Sequence, residues 1–186
     1  MASVAYYYFD FRDVNKQHRE GILLSLLVQL SADSDPCHEI LSSLYSIHAD
    51  GRYRPSDAAL TQCLKEMLEC RKRAATFIII DALDECPKTS GLQTARKKVF
   101  QLLKMLVDLR LPNLRICVTS RPDVDIRAFL EPLTSLCVSL HDESGQRKDI
   151  LDFITKVVHA DPRMGSWPEE EKELVIKTLS EKADGM

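Results

Sequence analysis

The 186-residue sequence has only 6 glycines, at positions 21, 51, 91, 145, 165 and 185, and no Gly-Lys dipeptide. It therefore lacks G-x-x-x-x-G-K-[ST], the loop whose backbone N–H groups and lysine cradle nucleotide phosphates. The dinucleotide fingerprint and the nucleophile elbow are absent too, which leaves nothing to suggest an unrelated α/β enzyme. The 6 cysteines (Cys37, Cys63, Cys70, Cys86, Cys117 and Cys137) form no C-x-x-C pair and have no zinc-like spacing with the 5 histidines. No run approaches the roughly 18 apolar residues of a membrane span. The N-terminus lacks the basic-then-apolar order of a signal peptide. A formal net charge of −3 gives no general case for nucleic acid. The basic cluster Arg71-Lys72-Arg73 reads as the solvated end of a helix, at the negative pole of its dipole. There are no internal repeats and no low-complexity stretches. These absences leave a cytoplasmic globular chain without disulfides, one domain or one domain plus an appendage. Cys117 and Cys137 fall in apolar strand patterns and Cys63 on an apolar helix face, so all three are expected as buried thiols.

The most informative stretch is Thr76-Phe77-Ile78-Ile79-Ile80-Asp81-Ala82-Leu83-Asp84-Glu85. A continuous apolar run of this length predicts a strand buried on both faces, as in a parallel sheet with helices on either side. Ligands of open α/β sheets bind outside the carboxyl ends of the strands. An apolar strand running into Asp81, Asp84 and Glu85 is thus a natural seat for hydrated Mg²⁺ and a nucleotide phosphate, the Walker B pattern. The bland alternative is a strand that ends in a solvated turn.

Around this stretch, strand and helix patterns alternate. Val4 to Phe9 is an aromatic-rich strand ending at Asp10-Phe11-Arg12-Asp13. Ile22, Leu23, Leu26, Leu27 and Leu30 mark a helix from about His18. Asp35 as N-cap and Pro36 at the first helical position open a second, carrying Ile40, Leu41, Leu44 and Ile47. Ser56 caps a third, with Leu60, Leu64, Met67 and Leu68. Val99, Leu102, Leu103, Leu106 and Val107 mark a fourth. Residues 114–119 read as a strand, 123–130 as a short helix and 136–140 as a last strand. Such alternation implies βαβ units and a parallel sheet. After His141 the pattern turns helical, with Ile150, Leu151, Ile154, Val157 and Val158 on one helix. Ser166-Trp167-Pro168 opens another, for which Gly185 is a candidate C-cap.

Arg115-Ile116-Cys117-Val118-Thr119-Ser120-Arg121-Pro122 is a second strand that ends in polar groups. In a parallel sheet its end shares an edge with Asp81, where the forked guanidinium of Arg121 could reach a phosphate. The alternative for Arg121 alone is a solvated residue before a turn. Together the two segments resemble the NACHT domain of STAND-class P-loop NTPases, as in fungal NLR-like and nephrocystin-like proteins. Ile78 to Glu85 resembles its Walker B, including the small residue Ala82 after the metal-side acid, and Ile116 to Pro122 resembles its sensor 1 strand.

The resemblance implies a three-layer α/β fold, a P-loop NTPase-like parallel sheet flanked by helices. Residues 1–141 would be the NTPase core and 142–186 the start of a helical lid. It implies that Asp81 holds Mg²⁺ through water, that Asp84, or Glu85, orients the attacking water, and that Arg121 with Ser120 contacts the γ-phosphate of ATP or GTP. In the family the P-loop strand and helix come just before the segment that begins here at Val4, so the resemblance implies a fragment lacking that unit. The parent would be a nucleotide-dependent switch that self-associates or joins other NLR-like proteins, with no nucleic acid or membrane partner. The alternative is a remnant without a phosphate loop, acting as a protein-interaction module. Neither reading has this chain holding nucleotide tightly by itself. An apolar edge or groove is expected where the missing strand would lie.

Overall fold

The computed structural model describes residues 2–70, 75–88, 94–139 and 144–183. The elements run β1 (Ser3–Tyr8), α1 (Arg19–Ala32), α2 (Asp35–Ile47), α3 (Asp57–Cys70), β2 (Thr76–Asp81), α4 (Ala95–Asp108), β3 (Leu114–Val118), α5 (Val124–Leu130), α6 (Ser144–Ala160) and α7 (Glu169–Lys182). The basic cluster at 71–73 and the Gly185 cap lie outside the described residues. The strands form one parallel sheet, as the alternation implied, in the order β1-β2-β3 with β2 central. The protein is thus α/β, a three-stranded parallel sheet flanked by helices.

Helix starts follow local chemistry. The Ser56 hydroxyl accepts from Ala59 N at 3.2 Å, and the Thr94 hydroxyl from Lys97 N at 3.2 Å. The N-cap of α2 is Ser34 rather than Asp35, so Asp35 and Pro36 occupy the first two helical positions. Either position suits a proline, because the first-turn N–H groups have no partner within the helix.

Cover of the sheet is one-sided, which corrects the expectation of a β2 strand buried on both faces. Ala5, Tyr7, Ile78 and Ile80 join one core with Leu23, Leu26 and Leu27 of α1, Leu64 and Met67 of α3, and Val99 and Leu103 of α4. The alternate positions Val4, Tyr6, Tyr8 and Phe77 are exposed. The apolar stripes of α1, α3 and α4 converge on that one face, and the described residues of this unit leave the other open. Cys117 lies on that open face in register with Ile79 and is exposed, as is Cys137; the burial expected for both is corrected. Cys63 is buried as expected, and burial pushes its thiol up to about 11. At the β1 edge the Gln29 amide stands in for a strand. Its Oε1 accepts from Tyr6 N at 3.0 Å and its Nε2 donates to Tyr6 O at 2.8 Å.

No strand forms over the described part of 136–140. Residues 136–139 are outside the sheet, and Leu136 and Val138 are exposed. An apolar pentapeptide becomes a strand only by pairing, and the described sheet ends at β3. The chain divides into two compact units, 1–134 and 135–186. In the second, α6 and α7 are joined by His159 Nε2 and Glu169 Oε1 at 2.7 Å. Asp161 accepts from Arg163 N at 2.9 Å in the turn between them.

Candidate functional site

The site is built where β2 and β3 end. Asp81, the last residue of β2, is exposed, and Ala82 adopts the left-handed conformation, with φ 54° and ψ 47°. A small side chain suits that conformation, because a bulky or β-branched residue there is strained. Leu83–Glu85 then makes a single 3-10 turn anchored by the buried side chain of Leu83. Thr119, just past β3, clips this turn. Its N–H donates to Ile80 O at 2.9 Å, its carbonyl accepts from Leu83 N at 3.0 Å, and its hydroxyl accepts from Ala82 N at 3.0 Å. The same hydroxyl donates to the carboxylate of Asp81. Nothing in the sequence pattern had singled out Thr119.

The structure brings the sequence-derived candidates to one edge. Asp84 Oδ1 accepts from Arg121 N at 3.0 Å, and Asp84 Oδ2 lies 3.5 Å from Arg121 Nε. Ser120 turns its hydroxyl onto Arg121 O at 2.8 Å, a local bond within the loop. Glu85 Oε2 accepts from Phe11 N at 3.1 Å, tying the exit of β1 to the acidic turn. Asp10 turns to its own loop and accepts from Arg12 N at 2.9 Å; the Arg12 guanidinium holds the Asp10 carboxyl below its usual range.

Beside these groups lies a charged cluster that sequence reasoning missed. Arg96, in the first turn of α4, is buried. It donates to Cys86 O from Nε at 3.0 Å, to Asp84 O from Nη2 at 2.5 Å, and to Asp123 Oδ2 and Asp125 Oδ2 from Nη1 at 3.0 and 3.1 Å. Lys88 completes the cluster at 2.9 Å from Asp123 and 3.3 Å from Asp125. Lys88 and then Arg96 hold the Asp123 carboxyl below its ordinary range. Burial pulls the Asp125 carboxyl upward, but Arg96 and Lys88 outweigh it and hold it low as well. Arg96 thereby fastens the acidic turn to the start of α5. Between the two charge sets opens a cleft of about 460 Å³, lined by Phe11, Asp84, Glu85, Lys88, Arg121 and Asp123 among others.

The carboxylate half of this site suits a hydrated divalent cation: Asp81 offers hard oxygen at the carboxyl end of the central strand. Mg²⁺ is usually held by one or two carboxylates plus substrate phosphates. Among the described residues no cluster of three or more metal-binding side chains would hold an ion without them. The phosphate half is missing from the sequence, since no glycine-rich loop is present. The residues here do not fit a tightly held Mg-nucleotide. Among the described residues no helix is long and apolar enough to cross a membrane.

No curated protein and no solved structure matches the chain. A family model does, over residues 1–121 of 186, about two thirds of the chain. The matched segment runs from β1 through β2 and its acidic turn to Arg121, so it spans every candidate residue named above except Asp123 and Asp125. The chain belongs to the family described as Nephrocystin 3, N-terminal.

Proposed function

We propose that this chain is part of a NACHT-type nucleotide-dependent signalling switch with a P-loop NTPase-like core. One observation carries the reading: Asp81 and Asp84, at and after the end of β2, share the carboxyl edge of the sheet with Arg121 from the adjacent parallel strand's exit, and Asp84 pairs with Arg121 beside a left-handed alanine. In a site completed by a phosphate loop, Asp81 would hold Mg²⁺ and Arg121, beside Ser120, would supply cationic and hydroxyl contacts to the nucleotide phosphate. Asp84, or less favourably Glu85, would orient the attacking water there; Asp84 Oδ1 accepts from Arg121 N and Glu85 Oε2 from Phe11 N. The nucleotide is ATP or GTP, the compartment is the cytoplasm, and the output is self-association or assembly with other NLR-like proteins. The 142–186 helices act as the beginning of a lid. A second reading, an interaction module without nucleotide, is favoured by the open sheet face bearing Val4, Tyr6, Tyr8 and Phe77.

Calorimetry with Mg-ATP and Mg-GTP separates the two. The 186-residue chain alone is expected to show no saturable micromolar binding. The same chain extended by in-frame upstream sequence carrying G-x-x-x-x-G-K-[ST] is expected to bind and to hydrolyse slowly. In that extended protein Asp84→Asn should keep binding and lose hydrolysis, whereas Asp81→Asn should weaken Mg²⁺-dependent binding itself. An extended protein with an intact phosphate loop but no nucleotide affinity would leave the interaction module standing.

A further inference from the structure

Two sulfurs outside the candidate site touch. Cys37, in the first turn of α2, is fully buried, and Cys70, the last residue of α3, is exposed. Their Sγ atoms lie 3.7 Å apart, and both thiols are directed at the Met67 carbonyl, at 3.7 and 3.1 Å. No disulfide joins them. A disulfide needs about 2.05 Å, so the sulfurs, already in contact, must close by about 1.6 Å. One accessible and one buried thiol in contact is also the arrangement that thiol–disulfide exchange uses: the exposed sulfur attacks and the buried one resolves.

We infer that Cys37 and Cys70 form an oxidisable dithiol, a modification site for small disulfides such as oxidised glutathione. The Cys70 thiolate attacks one sulfur of the oxidant. The oxidant's S–S bond breaks, one thiol leaves with a proton, and a mixed disulfide remains on Cys70. The Cys37 thiolate then attacks the Cys70 sulfur and expels the second thiol, which takes up the other proton. Two protein thiols lose two electrons and the oxidant becomes two thiols. The bond ties the start of α2 to the end of α3, just ahead of β2. It closes a loop of 34 residues (70 − 37 + 1). A loop of that size implies a rise of roughly 10 °C in unfolding temperature for a chain of this length. In a reducing compartment such a bond forms on oxidation and is otherwise absent.

The test is non-reducing tryptic mapping of the folded chain after incubation with oxidised glutathione. Expected are a loss of two hydrogens per chain, a linked pair of peptides Glu20–Arg52 and Glu66–Arg71, and the higher unfolding temperature. Cys70→Ser should abolish all three, and Cys117→Ser should leave them unchanged. A glutathione adduct that persists on Cys70 with Cys37 still alkylatable after denaturation would overturn the inference. So would a bridge that uses Cys63 in place of Cys37. Cys63 lies on a separate tryptic peptide, so the wild-type map decides even should a variant misfold.

Discussion

Arg96 and Arg121 line the same cleft and are used in opposite ways. The Arg96 side chain is 4% exposed and meets two carbonyls and two carboxylates. The Arg121 side chain is 83% exposed, and its guanidinium approaches one carboxylate at 3.5 Å. A buried guanidinium must have its donors satisfied, so Arg96 is held from every side and in turn fixes Asp84 O, Cys86 O and the start of α5. Arg121 is anchored through its backbone N–H, which leaves its charge turned to solvent. One arginine therefore holds the acidic turn in shape, while the other is available to an anion that enters the cleft.

The largest expected effect breaks the buried side of this comparison. Arg96→Met keeps much of the side-chain length and removes the charge and the hydrogen bonds. It removes a donor from two carbonyls and leaves the part-exposed carboxylates of Asp123 and Asp125 to Lys88 alone, so the cost should lie at about 1–3 kcal/mol, below that of breaking a fully buried pair. Urea denaturation of the variant beside wild type measures it. A loss below about 1 kcal/mol, in the range of exposed pairs, would mean that the cluster is no more structural than the Arg121 contact.

The next effect sharpens the same comparison through pH. Asp123 and Asp125 have folded-state pKa values below the ordinary carboxylate value. Between the depressed value and the unfolded one, about 3.9, the unfolded chain binds more protons, so stability rises with pH there. Their contribution is complete above that window and is lost as the pH falls through the folded pKa. In a comparison of wild type with Asp123→Asn/Asp125→Asn, the stability difference should shrink as the pH drops below about 4. In the second unit the sign is reversed for His159, whose pKa is raised by the Thr155 carbonyl and Glu169. Its contribution is complete below the unfolded value, about 6.5, and fades as pH rises through the folded one. An acid-side difference that stayed constant would detach Asp123 and Asp125 from the Arg96 cluster.

The two arginines also differ in how much the sequence reveals of them. Asp81, Asp84 and Arg121 were readable because an apolar strand that runs into polar residues places them at a sheet edge whatever the remaining packing. Arg96 sits in the run Arg96-Lys97-Lys98, which resembles a solvated basic helix end. Two signals were nonetheless present. Three cations in the first turn of α4 oppose the helix dipole, and Arg96 falls in line with Val99 and Leu103 on the apolar stripe. The one-sided sheet was not readable, because Phe77-Ile78-Ile79-Ile80 is apolar at both alternate sets of positions and its pattern cannot say which face lacks helices. The stretch 136–140 failed for a related reason: its apolar residues match a strand, but a strand needs a non-local partner that local pattern does not report.

The smallest expected effect is on the exposed side. Arg121→Ala removes a guanidinium that is mostly in water and meets Asp84 Oδ2 at the long end of an ion pair, while the backbone bond from residue 121 to Asp84 Oδ1 is untouched. Exposed pairs contribute about 0–1 kcal/mol and are screened by salt, so the change in unfolding free energy should be at most about 0.5 kcal/mol and should shrink further at high ionic strength. Arg121→Ala and Arg96→Met, measured in the same buffer, thus test whether the cleft has one structural and one available cation. If Arg121→Ala costs as much as Arg96→Met, the guanidinium of Arg121 is part of the scaffold. The proposed role in meeting a phosphate then loses its physical basis, because a cation already committed to the fold would have to break internal contacts before it could engage a ligand.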